Sequence, residues 1–171
     1  MKKIKGLIIF GLIIFYCGLA HAESVQFKIK NGLNLISNPM DQTLHVSALS
    51  QFGCRSYPYF FTMKSSKFKV KRSLAPGEGA YLIAYSDCSV HLKGVLAAMP
   101  TQELSPGWTI INGAGIKTDI RFLTNQCNIK ASYTLDGWYF NRSTTLTPGK
   151  TLMVNVGSAC RLAAESYPGG N

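Results

Sequence analysis

Short apolar runs rich in Tyr, Phe, Val and Ile, separated by turn-forming residues, fill the chain after residue 22 and predict strands. The first is Leu33–Ser37. Helical spacing follows at His45–Phe52, with Thr43 suited to cap it. Arg55–Met63 reads as an aromatic strand, Ser65-Ser66 as a turn, and Phe68–Arg72 as the returning strand of a hairpin. Pro58 marks an edge or bulge within the aromatic run. Pro76-Gly77 presets a tight turn before a further strand at Ala80–Tyr85.

The same series then recurs. Strands are expected at Trp108–Asn112, Ile129–Leu135, Trp138–Arg142 and Leu152–Val156, with a helix at Asp119–Asn125 capped by Thr118. Asp136-Gly137 is a strong hairpin signal. Gly32, Leu35 and Ile36 match Gly107, Ile110 and Ile111 at an offset of 75. Cys54 matches Cys127 at 73, while Leu74–Gly77 and Cys88 match Leu146–Gly149 and Cys160 at 72. An offset that only shrinks fits a tandem duplication whose second copy has shorter loops. The expected architecture is mainly β: two tandem homologous modules, each with one short helix, packed as a pseudo-symmetric sandwich-like pair. Residues 23–98 form copy one and 99–171 copy two.

Gly32-Leu-Asn-Leu-Ile-Ser-Asn-Pro39, the aromatic hairpins and Leu74-Ala-Pro-Gly-Glu-Gly79 carry a resemblance. They resemble a β module of bacterial exported and surface proteins with a Gly-Trp-Asn-Leu-Ile-Ser-x-Pro opening and a Leu-x-Pro-Gly-x-Gly turn. The likeness covers Gly32–Cys88 and Gly107–Cys160. Leu33 replaces the usual Trp in copy one, and Thr109, Ala114 and Thr151 depart from the pattern in copy two. The resemblance implies a structural or binding part of a surface protein and brings no catalytic signature.

The N-terminus differs from the rest. Lys2, Lys3 and Lys5 precede the apolar run Gly6–Tyr16, and Ala20-His-Ala22 supplies a small-x-small cleavage site, so residues 1–22 read as a secretory signal. The run is short for a membrane span, and the mature chain is expected to lack one. Three of the 18 basic residues and none of the eight acidic ones fall in this leader, leaving 15 − 8 = +7. That balance favours an anionic envelope polymer or a protein partner, in the periplasm or outside the cell.

Four cysteines remain, and an even count in an exported chain reads as a disulfide framework with three possible connectivities. The repeat selects Cys54–Cys88 and Cys127–Cys160. No Cys-x-x-Cys spacing occurs, so no metal site is expected. Catalytic chemistry is thin. His45 and His91 neighbour neither an acid nor a nucleophile in sequence. Ser66-Lys-Phe-Lys69 fits Ser-x-x-Lys but falls at a turn, and Gly149-Lys-Thr151 lacks the upstream Gly of a phosphate loop. No cofactor is implied.

One local feature remains. Lys64, Lys67, Lys69, Lys71 and Arg72 place five charges within nine residues. Strand alternation sets Lys67, Lys69 and Lys71 on one face, and Phe68 and Val70 on the other. Such lysines either protect an edge strand or form a positive ribbon for an anionic ligand. The matching strand of copy two, Trp138–Arg142, carries one charge, so the fold itself does not require them. Nearby aromatics (Tyr57, Tyr59, Phe60 and Phe61; Tyr133, Trp138, Tyr139 and Phe140) offer core packing or stacking surfaces. The sequence therefore points to a non-enzymatic exported binding module, with a small exported enzyme or enzyme inhibitor as the alternative.

Overall fold

Val25, Phe27 and Ile29 alternate with polar residues and turn inward, which makes Glu23–Ile29 the first strand, β1. The computed structural model describes residues 22–64, 66–113, 115, 117–123 and 127–162. The expected leader apart from Ala22, Ser65 of the first hairpin turn, Ala114, and the expected helix end at Thr124–Asn125 lie outside these residues. After β1 come β2 (Gly32–Ser37), β3 (Leu44–His45), a 3-10 helix (Val46–Phe52) and β4 (Phe60–Lys64). Then follow β5 (Lys67–Lys71), β6 (Ser73–Leu74), β7 (Gly79–Ala84) and β8 (Cys88–Gly94). The remainder holds β9 (Gln102–Leu104), β10 (Gly107–Ile110), β11 (Thr118–Asp119), α1 (Ile120–Leu123) and β12 (Ile129–Asp136). It ends with β13 (Tyr139–Arg142), β14 (Thr145–Leu146), β15 (Met153–Val156) and β16 (Cys160–Leu162). The chain is mainly β, as its pattern predicts.

Each half builds a four-stranded antiparallel sheet, ordered β2-β7-β4-β5 and β10-β15-β12-β13. Each half also has two two-stranded ribbons, β1-β8 and β3-β6 in the first, β9-β16 and β11-β14 in the second. The two larger sheets lie face to face, with β12 across β2 and β10 across β4. Leu35, Met63 and Tyr81 from one sheet meet Ile110 and Leu135 from the other in a shared apolar layer. The opposite faces feed separate cores. Ile36, Phe60 and Leu82 turn toward Phe27, Leu49 and Val90. Ile111, Val154 and Val156 turn toward Leu104, Ile120 and Leu162. Both sheets are therefore buried on two sides along most of their width.

Buried polar groups close the loops. The Asn34 side chain, fully buried, accepts from Lys30 N at 2.9 Å and donates to Lys30 O at 2.7 Å, bracing the β1–β2 turn. Asn38 spans the next loop by donating to Gln42 O and Leu74 O. Both expected disulfides are present, Cys54–Cys88 and Cys127–Cys160, each with Cα atoms 5.3 Å apart. The first ties the end of the 3-10 helix to β8, the second the loop before β12 to β16.

Several expectations change. The first helix is a 3-10 turn that starts at Val46 after extended His45, so Thr43 does not cap it. In α1 the cap is Asp119, whose carboxylate accepts from Arg121 N at 2.9 Å; Thr118 is the strand residue before it. The aromatic strand begins only at Phe60, because Pro58 lacks the amide a ladder needs. Arg55–Tyr59 instead runs irregularly beside β7, held by Tyr57 N to Ile83 O and Tyr85 N to Arg55 O.

Candidate functional site

The lysine cluster sits on the β4–β5 hairpin, where β5 is the outermost strand of its sheet. The register pairs Lys64 with Lys67, Thr62 with Lys69 and Phe60 with Lys71. Phe60 points into the first core, so Lys64, Lys67, Lys69 and Lys71 all share its face. The strand alternation read from the sequence thus holds, and Lys64 joins the same face. Met63 and Phe61, opposite Phe68 and Val70, fix the other side toward the layer between the sheets.

The five charges are not equivalent. Lys71 Nζ donates to both carboxylate oxygens of Glu78 at 2.6 Å, so it is internally matched. The Arg72 guanidinium lies 5.4 Å over the Tyr59 ring and donates to its hydroxyl at 3.3 Å. Lys64, Lys67 and Lys69 are exposed, and among the described residues no acidic side chain lies within 4 Å of them. Lys64 and Lys67 face each other across the ladder as like charges, an arrangement that is unfavourable until an anion sits between them. The sequence groups all five, while Glu78 and Tyr59 withdraw two.

The opposite face of β5 is unusual for an edge strand. Because β10 lies across β4, β5 overhangs the second sheet, and Phe68 and Val70 remain 62% and 59% exposed. Phe68 reaches back to the Tyr81 ring, at 5.9 Å. Tyr81 donates to the Met153 sulfur, and its burial pushes its phenol up to about 12. β13 overhangs in the same way on the far side, leaving Phe140 55% exposed while its partner Leu135 is 1%. Trp138 lies at the tip of that hairpin, against Gly32, where an added Cβ would stand 2.7 Å from the indole nitrogen.

The two histidines beyond the expected leader lie outside the β4–β5 hairpin. His45 and His91 are exposed on separate ribbons, β3 and β8. Among the described residues no three His, Cys, Asp or Glu side chains gather as metal ligands. A cleft beside α1 is lined by Arg121, Lys130, Ser132 and Arg142, and among the described residues no His, Asp or Glu lines it. Arg121 is engaged there by Asp119, whose carboxyl the guanidinium holds well below the usual carboxylate range.

Among the described residues no helix is long and apolar enough to cross a membrane. The fold and this surface define a disulfide-linked, mainly β protein with a basic edge hairpin. Comparison with protein-family models, with curated proteins and with solved structures finds no match.

Proposed function

We propose that this chain is a non-enzymatic, exported binding module of the cell envelope or surface, and that the β4–β5 hairpin takes its anionic ligand. The observation that carries the reading is the set Lys64, Lys67 and Lys69: one face, exposed, with no acid within 4 Å among the described residues. Fixed positive charge on a rigid ladder raises the local concentration of anions and steers them to one side of the molecule. The two disulfides support an oxidising compartment, periplasmic or extracellular, as does the signal-like leader.

The tandem-copy reading supports a binding role too. Each sheet of residues 23–98 has a counterpart in 99–171 with the same strand order, and Leu44↔Leu74 and Ile29↔Cys88 recur as Thr118↔Leu146 and Leu104↔Cys160. Where the halves agree lies what folding needs. The lysine cluster belongs to one half alone, so folding of the module does not call for it.

Retention on immobilised anionic polysaccharide tests the proposal. Replacing Lys64, Lys67 and Lys69 by Gln removes three exposed contacts of about 0.5 kcal/mol each, weakening binding about 10-fold. Arg142→Gln, in the other half, leaves retention unchanged. Equal retention of the triple variant and the parent overturns the reading.

A further inference from the structure

We infer that the ligand of this hairpin is an extended protein segment with alternating acidic and apolar residues, which adds to the sheet as a fifth strand alongside β5. The inference rests on the lysine hairpin being the binding face and specifies what fills it. Three independent features of β5 meet in this one occupant.

The first is backbone. Among the described residues β4 is the only neighbour of β5, and the backbone of Lys67–Lys71 hydrogen-bonds to no other element. One side of the strand thus offers a row of unpaired amides and carbonyls, the template for strand addition. The second is charge. Lys67 and Lys69 project from the same face of that edge, with Lys64 one strand behind. Carboxylates at every second position of an added strand fall beside Lys67 and Lys69. The third is apolar surface. Phe68 and Val70, both more than half exposed, project from the opposite face, where the second sheet stops short. The intervening residues of the added strand cover them if they are apolar.

A polyanion alone neutralises the lysines but leaves Phe68 and Val70 in water and the strand edge unpaired. A second copy of this chain fits poorly. Pairing β5 with β5 sets lysine against lysine, and pairing it with the other overhanging strand, Tyr139-Phe-Asn-Arg142, adds a further positive charge and no acid. Charge complementarity therefore selects a heterologous acidic strand.

The test titrates the full chain, isotopically labelled, with three probes and follows its backbone amides. The first is a six-residue peptide alternating Val and Glu. The second is the same peptide N-methylated at alternate amides, and the third is polyglutamate. Strand addition predicts saturable shifts concentrated at Lys67–Lys71 with the first peptide and at least 10-fold weaker binding of the second. Phe68→Ser, a change at an exposed site that leaves the spectrum of the free chain folded, weakens the first peptide by a similar factor and polyglutamate little. Equal binding of the first and second peptides overturns the inference, as does indifference to Phe68→Ser. If polyglutamate binds the lysine face as tightly as the alternating peptide, the strand inference fails and the anionic-ligand reading stands. If no probe shifts the hairpin, both fail.

Discussion

Asn34 carries more of the fold than its size suggests. Buried completely, it satisfies the amide and carbonyl of Lys30 and the carbonyl of Gly32. Asn34→Ala removes these bonds at a part-buried turn and costs about 1–3 kcal/mol, read as a lowered denaturant midpoint. Tyr81 links stability to alkaline pH. Its folded phenol is raised to about 12 by burial, above the ordinary value of 10.0, so the folded form holds its proton longer than the unfolded chain. Its stabilising contribution is complete below pH 10 and is lost as pH rises toward 12. Tyr81→Phe flattens that decline in a pH series of unfolding curves. Asp119 acts in the opposite direction. Arg121 and Thr144 hold its carboxylate charged, so its contribution is present above about pH 4 and fades as acid protonates it. Asp119→Asn reduces the acid sensitivity of folding over that range.

At the level of elements, the hairpins were the most legible part of the chain. Asp136-Gly137 predicts a turn, and Gly137 adopts φ +69° between paired Asp136 and Tyr139, with Trp138 in the turn rather than the strand. The disulfide pairing was legible from the expected repeat and not from spacing alone. Other elements were hidden for identifiable reasons. The alternation Val25-x-Phe27-x-Ile29 was present but sits directly behind the expected leader, and β9 is only three residues long. The 3-10 turn spaces Val46, Leu49 and Phe52 three apart, a pattern that also suits one face of an α-helix. Local sequence also hides long-range partners: Glu78 matches Lys71 across the Pro-Gly turn, and Tyr59 covers Arg72 from an irregular segment. The exposure of Phe68 and Val70 follows from where the opposing sheet ends, which no local pattern encodes. Removing Cys54–Cys88 by a double Ser substitution lowers stability by about 4 kcal/mol, as expected for a loop of 34 residues, measured by denaturant unfolding under oxidising conditions.

Across the whole molecule, the shared layer of Leu35, Met63, Tyr81, Ile110 and Leu135 joins the two sheets, and main-chain bonds such as Ser37 N to Gly149 O and Gly113 N to Gly77 O reinforce it. The stagger that closes this layer also leaves β5 and β13 projecting beyond it on opposite sides. Packing thus presents two edge hairpins, and charge distinguishes them, with lysines on one and Trp138, Tyr139 and Phe140 on the other. The lysine hairpin is the proposed binding face. Mapping the amide shifts of the full chain during a polyglutamate titration tests this most directly. The account predicts shifts centred on Lys64, Lys67 and Lys69 that disappear with rising salt. Shifts centred on the Arg121–Lys130–Arg142 cleft, or spread evenly over all basic residues, would contradict it.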